Sequence, residues 1–298
     1  MKVLVTGASG FLGKHIVRKL LDENYEVIAI SLTDLNSQHP RLKLIICDLN
    51  DINEIVYEKN IEAVIHTAAC INLNDNDEAI AQITKDNIMA SIQLSNFIIH
   101  NNINKVIVSS TGSVYEGNYI IGNQITESSQ MRPLNLYAVS KLASEWIFEN
   151  KLSGYTEELV FLRYSSIYGH GQRTNSIIPI FIRNAILSQS IEVYGSGNRV
   201  QDYIYIEDAV QANMKCLKLS LPFSSIFNIG SGEPISDKEL AENVKRIWNS
   251  RSQILVGNTS NNHESYFQYS INKAKTILDF SPLNLSEGLK KYCELTKE

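Results

Sequence analysis

The chain has 298 residues, 44% of them hydrophobic and 20% charged, a composition that supports a large buried core. A net charge of -5 and a pI of about 5.8 argue against a nucleic-acid partner, although a local pocket on an acidic protein can still be positive. Cys47, Cys70, Cys216 and Cys293 form no C-x-x-C pair, so neither a metal site nor a disulfide framework is expected.

The opening MKVLVTGASG lacks an apolar leader, and no apolar run reaches the roughly 18 residues of a membrane helix. A cytoplasmic protein in a reducing compartment, with no membrane partner, is the expectation.

Lys2–Thr6 is a short apolar run ending at Gly7 and predicts a buried strand. Phe11–Leu21 carries apolar residues at helical spacing. Further strands are expected at Glu26–Ile30, Leu42–Cys47, Ala63–His66, Lys105–Ser109 and Leu159–Tyr164. Helices are expected at Ile52–Lys59, Asn87–His100 and Leu136–Lys151. Strands alternating with helices imply βαβ units around a parallel sheet. Beyond these, Ile177–Ser188 and Ile206–Leu219 read as helices and Ile226–Ile229 as a strand. Ser236–Trp248 reads as a helix whose Ser236 and Glu239 have capping-box spacing, and 258–264 as an exposed loop. The expected fold class is α/β, a doubly wound parallel sheet with a smaller C-terminal α/β region. Residues 1–166, rejoined by 203–230, are expected to form the sheet domain. Residues 167–202 and 231–298 are expected to form the smaller region.

Thr6-Gly7-Ala8-Ser9-Gly10-Phe11-Leu12-Gly13 lies between the first strand and the first helix. Free N–H groups and the positive end of the helix dipole suit a pyrophosphate there, and glycines allow close backbone approach. Farther on, Tyr137 and Lys141 are four residues apart and share a helical face. A phenol of pKa about 10 is a poor base at neutrality, and an adjacent ammonium favours its phenolate. Bringing it to neutrality needs roughly 4 kcal/mol of preferential stabilisation.

With glycines at G-x-x-G-x-x-G spacing and Pro133 ahead of Tyr137-Ala-Val-Ser-Lys141, the chain resembles the extended short-chain dehydrogenases/reductases, the NAD-dependent epimerase/dehydratase branch, over nearly its whole length. The resemblance implies NAD as cofactor, with NADP left open, held by Gly7, Gly10, Phe11, Leu12 and Gly13. It implies Tyr137 as acid/base, Lys141 holding the phenolate and the ribose, and Thr111, in Ser109-Ser110-Thr111-Gly112-Ser113-Val114-Tyr115, bonding the reacting sugar oxygen. Ser113 is a second candidate, facing the same side if the strand continues to it. Asp48 and Leu49 resemble the pair beside the adenine, and His66-Thr67-Ala68-Ala69 the turn along the dinucleotide. His66 itself reads as structural. Asn87 matches an Asn that steadies the active-site helix, and Tyr164 a position near the nicotinamide. Relatives commonly form homodimers through the helices at Asn87–His100 and Leu136–Lys151.

The chain departs from that pattern in places. Ser31 stands where NAD-preferring relatives carry Asp at the end of the second strand, and Arg41 is the nearest arginine. The segment Ile191–Asp208 resembles a substrate-binding signature, but Gln201 replaces its Arg and Ser166 an Asn. Asn261-Asn262-His263-Glu264 replaces a later R-P-G-D. A diphosphate site without its bidentate Arg is altered, with Arg199, Arg173 and Arg183 as candidate substitutes. Thr111-Gly112-Ser113 also lacks the T-D-E of sugar 4,6-dehydratases. The expected activity is a nucleotide-sugar 4-epimerase. The alternatives are an NAD(P)H-dependent reductase of a 4-keto-6-deoxy-sugar nucleotide and a non-catalytic dinucleotide-binding protein.

Overall fold

The computed structural model describes residues 1–118, 124–257 and 265–296. In chain order the first half comprises β1 (Lys2–Thr6), α1 (Phe11–Asp22), β2 (Glu26–Ser31), β3 (Leu42–Ile46), α2 (Ile52–Ile55), β4 (Ala63–His66), α3 (Asp77–Ile83), α4 (Ala90–His100), β5 (Lys105–Thr111), α5 (Leu136–Leu152) and β6 (Glu158–Tyr164). There follow β7 (Ser166–Tyr168), α6 (Ile177–Ile186), β8 (Ile191–Val193), β9 (Val200–Gln201), β10 (Tyr203–Tyr205), α7 (Ile206–Lys218), β11 (Ser225–Ile229), β12 (Ile235–Ser236), α8 (Asp237–Ile247), β13 (Ile254–Val256), α9 (Asn272–Leu278) and α10 (Leu285–Leu295).

Seven strands form one parallel sheet in the order β11-β6-β5-β4-β1-β2-β3. Alternation along each strand serves two cores. Val3 and Val5 of β1 face Ile16, Val17 and Leu20 of α1, with Met214 and Leu217 of α7 in the same cluster. Leu4 faces the other way, with Leu94 and Phe97 of α4 and Phe148 of α5. Both faces are covered, which is why the strands read as continuous apolar runs. The strand order reverses between β1 and β4, and in such sheets ligands bind outside the carboxyl ends of the strands at that switch. Thr6 and His66, the last residues of the two strands, are register partners there.

Two sequence expectations change. The helix expected over Ile52–Lys59 ends at Ile55, because Val56 turns extended and drops into the core beside Ile52. The helix expected from Asn87 is instead the continuation of α3 through a π-helical stretch, Thr84–Met89, into α4. The capping box at Ser236 is formed with Glu239, and a second joins Asn284 to Glu287 at the start of α10. Short ribbons β10–β7, β12–β9 and β13–β8 accompany α6, α8 and α10 around a third apolar cluster that includes Phe181, Leu240 and Leu289. No described helix is long and apolar enough to cross a membrane. The loop expected at 258–264, which includes Asn261–Glu264, lies outside the described residues.

Candidate active site

The glycine loop is shaped by the chain itself. Gly7 has φ +68°, and a Cβ there would lie 2.6 Å from the Ala68 backbone. A Cβ on Gly13 would lie 2.2 Å from the Gly7 carbonyl oxygen and 2.9 Å from Thr67 Oγ1. The Gly10 N–H donates to Gly7 O at 2.9 Å, and Thr67 Oγ1 donates to Thr6 O at 2.7 Å. These contacts seat the Thr67–Ala69 turn against the loop. Gly10 caps α1 with no side-chain hydrogen bond, and the first turn, with Phe11 and Leu12 partly exposed, carries no acidic residue. A pyrophosphate fits such an end, since the first-turn N–H groups have no side-chain acceptor and nothing there repels an anion.

On the other side of the switch point, α5 presents Tyr137 and Lys141 on one face. The Thr111 hydroxyl, at the end of β5, lies beside the Tyr137 phenol and favours its phenolate. Burial pushes the phenol up to about 12 against that pull. Burial likewise brings Lys141 down to about 8, opposed by the charge of Glu145. The expectation that Lys141 lowers the phenol's pKa is not met in the chain alone, where burial dominates and Thr111, not Lys141, opposes it. Ser113 lies not on an extended strand but on the 3-10 turn Gly112–Asn118, so the condition for its facing the Thr111 side does not hold. Its N–H instead donates to Thr111 Oγ1 at 3.2 Å.

Asn87, inside the π-helical stretch, ties this helix to the dinucleotide side. Its Nδ2 donates to Ser140 Oγ at 2.8 Å and to Cys70 O at 3.0 Å, and its Oδ1 accepts from the Cys70 N–H at 2.7 Å. One side chain thereby fixes both α5 and the turn after Ala69. π-bulges recur at functional sites, and here the bulge sets the side chain's aim.

His66 Nδ1 lies 2.7 Å from Thr6 Oγ1, and the ring is edge-on to Phe148. Burial, and secondarily Lys141, hold its pKa down to about 3. The unfolded chain therefore binds more protons below about pH 6.5, and stability is lost as pH falls from there towards 3. His66→Asn is expected to remove about 3 kcal/mol of the stability difference between pH 7 and pH 4.5, read by urea titration at both values.

The outer cofactor positions are more occupied than the sequence suggests. Ser31 is buried, in a hydroxyl cluster with Ser9 Oγ at 2.6 Å and Thr33 O at 2.7 Å. Arg41 cannot serve the same end of β2: its carbonyl pairs with Val27 and its guanidinium bonds Asn24, about 13 Å of strand away. Asp48 Oδ1 accepts from Asn50 and Oδ2 pairs with Lys85 at 2.9 Å, while Leu49 is buried in the core. Tyr164 is the register partner of Thr111, but its ring is buried and its hydroxyl accepts from Asn213 at 2.6 Å. The strand end reaches the cleft; the ring faces the α7 core.

On the substrate side, Gln201 Nε2 donates to Ser166 Oγ at 3.2 Å, so two of the departures from the family pattern touch each other. Arg199 is committed to Asp237 through two hydrogen bonds of 2.9 and 3.1 Å and is thereby removed as a free diphosphate ligand. Arg173 is exposed, forms no ion pair among the described residues, and lies close enough for its charge to act on Cys70. The sequence reading missed Asp202, whose carboxylate accepts from Ser231 N, Ser231 Oγ and Gly232 N at 2.8–2.9 Å. It clamps the chain leaving β11 to the start of β10. It missed Glu145 as well, although that residue continues the four-residue spacing of Tyr137 and Lys141.

Residues 3–230 match the model of the NAD dependent epimerase/dehydratase family. The chain belongs to that family. This family member is an enzyme whose cofactor is NAD, among proteins that epimerise, dehydrate or reduce nucleotide sugars. It is 32% identical to a putative UDP-glucose 4-epimerase of Methanocaldococcus jannaschii, over 99% of this chain and 98% of that one. It is 27% identical to the dTDP-4-dehydro-6-deoxyglucose reductase of Escherichia coli, over 97% and 95%. Among solved structures it resembles MoeE5 in complex with UDP-glucuronic acid and NAD, at TM-score 0.89 and 28% identity over 100% and 99% of the two chains. It also resembles the UDP-glucose 4-epimerase of Thermotoga maritima with UDP-glucose, at TM-score 0.88 and 26% identity over the whole of both.

Proposed function

We propose that this enzyme inverts C4 of a uridine-diphosphate sugar. The observation that carries the reading is the Thr111 hydroxyl beside the Tyr137 phenol, on the same helical face as Lys141 and at the end of the sheet that carries the glycine loop. Similarity to the Methanocaldococcus and Thermotoga epimerases supports the sugar and the base. Gly112 and Ser113 beside Thr111 offer neither a carboxylic acid nor a carboxylate, so loss of water from the sugar has no acid–base pair there.

Gly7, Gly10, Gly13 and the first turn of α1 would hold the pyrophosphate, with Thr67–Ala69 along the dinucleotide. When bound, oxidised NAD would supply a reversible hydride acceptor and a positive charge. Thr111 orients the sugar's 4-hydroxyl towards Tyr137. The Tyr137 phenolate takes that hydroxyl proton and later returns it to the same oxygen. The Lys141 ammonium, together with the positive charge that oxidised NAD would bring, stabilises the phenolate and so offsets the burial that holds the phenol protonated in the chain alone. Residues 167–202 and 231–298 cover the sugar nucleotide, with Ser166 and Gln201 as a neutral wall and Arg173 as the cation facing the phosphates.

Incubation with UDP-glucose, UDP-galactose and UDP-glucuronic acid, followed by proton NMR of the anomeric signals, tests the proposal. Interconversion of a 4-epimer pair with no net change in reduced nicotinamide absorbance is expected. Stoichiometric NAD(P)H loss with a 4-keto-6-deoxy-sugar nucleotide, and no epimer from any UDP-sugar, would identify a reductase instead. Binding of NADH with turnover of neither substrate class would mark a dinucleotide-binding protein.

A further inference from the structure

Below the reacting pair on α5 lies a second charged pair. Tyr137, Lys141 and Glu145 follow one another at four-residue spacing, so the three side chains share a face. Glu145 and Arg163 are 3% and 2% exposed. Arg163, from β6, donates through Nε to Glu145 Oε1 at 3.0 Å and through Nη2 to Oε2 at 2.6 Å. Ser110, the neighbour of Thr111 on β5, donates to the same Oε1. Arg163 Nη1 donates to Tyr115 Oη at 2.6 Å, and Tyr115 Oη donates to Asn228 Oδ1 at 3.1 Å. The guanidinium also lies 5.2 Å from the centre of the Tyr115 ring. The network thus joins α5, the ends of β5 and β6, and β11.

A buried ion pair is weak evidence for stability. Taking both charges out of water costs several kcal/mol, and apolar replacements of similar volume are often neutral or better. Its placement argues for a different role. Glu145 is one helical turn from Lys141, itself 3% exposed, and its charge opposes the burial that disfavours the ammonium. The titratable groups around Lys141 are few. Tyr137 and Glu145 lie on its own helix, and His66 faces it from β4, neutral because of its own burial. Glu145 is the anion among them, and Arg163, which binds it from β6, is the cation next to it. The same carboxylate holds Ser110, so the strand that carries Thr111 and the helix that carries Tyr137 are fixed to each other through it.

We propose that Glu145, clamped by Arg163 and Ser110, is the positioning carboxylate of this site, acting as counter-ion to the Lys141 ammonium and as the strut that sets the Tyr137 face of α5 against Thr111. The proposal rests on Tyr137 and Lys141 being the reacting pair, but its test needs no substrate.

The unfolded pKa of Lys141 lies above its folded value of about 8, so the buried ammonium costs stability below pH 8, and the cost fades as pH rises through 8 towards 10.5. Lys141→Met is therefore expected to be more stable than the native chain at pH 7, by a margin that shrinks above pH 8. The pH at which the margin begins to shrink reports the folded Lys141 ionisation. Thermal unfolding from pH 6 to 10, with and without added NAD, is compared for each form and its Lys141→Met counterpart. In Glu145→Gln that pH is expected to fall by about one unit or more. The double variant Glu145→Gln/Arg163→Met leaves no lone buried charge, so it is expected to recover thermal stability while keeping the lowered pH. It carries the test alone if Glu145→Gln does not fold. An unchanged ionisation pH in the double variant would overturn the proposal, since a purely structural Glu145 moves only the unfolding temperature. Failure of the reaction reading looks different: Tyr137→Phe would keep its turnover whatever these profiles show.

Discussion

Tyr137→Phe is expected to lower kcat for sugar interconversion by about 10²–10⁴-fold, the range that a positioned acid/base contributes. The substitution removes one oxygen and keeps the ring. Thr111 loses the phenol as a partner but still accepts from the Ser113 N–H, so the stability cost stays near 1 kcal/mol. NADH binding, followed by fluorescence titration, should change less than threefold, because the glycine loop lies on the other side of the switch point. This combination separates chemistry from binding and from folding. A purely structural phenol would show the reverse, with turnover nearly intact and the unfolding temperature lowered. Retained turnover on an identified substrate would remove Tyr137 from the reaction.

The dinucleotide half was legible because its local signals agree with each other. Lys2–Thr6 and Ala63–His66 appear where the apolar runs place them, and in the C-terminal region the cap at Ser236 forms where its capping residues place it. These depend on neighbours a few residues away. The stretch around Asn87 was not legible. Its sequence continues a helical pattern, and the insertion that makes it π-helical is set by contacts with Cys70 and Ser140, 17 and 53 residues away. Ionisation failed for the same reason. The spacing of Tyr137 and Lys141 announces proximity, but the sign of each shift is decided by burial under residues from other elements. Arg199 and Tyr164 show the limit of transferring positions. Tyr164 stands where the family pattern puts a residue near the nicotinamide and Arg199 is a substitute for the Arg that Gln201 replaces, yet Asn213 and Asp237, distant in sequence, already hold their polar atoms. Glu145 could have been found, since it extends the i, i+4 series by one step. The partner that makes it unusual, Arg163, is on a strand and carries no sequence mark.

Gly13→Ala is expected to damage folding and cofactor binding together, which distinguishes it from every substitution at the catalytic pair. The added methyl group would lie 2.2 Å from the Gly7 carbonyl oxygen and 2.9 Å from the Gly7 carbonyl carbon. Both are backbone atoms, so no rotamer change relieves the contact. The loop and α1 must separate by about 1 Å to restore ordinary van der Waals distance, and overpacking of this kind costs about 1–3 kcal/mol. The upper end applies here, because Gly7 is already pinned from the other side by Ala68. The same 1 Å shift moves the first-turn N–H groups of α1 away from the pyrophosphate they are shaped to meet, and errors of that size reduce productive alignment about 10²-fold. The Kd for NADH should rise at least about tenfold, with the unfolding temperature down by several degrees. Isothermal titration and thermal melting of the same preparation check both effects. If NADH affinity survives while stability drops, the glycine at this position serves only the packing of helix on strand, and the dinucleotide is held elsewhere along the carboxyl ends of the sheet.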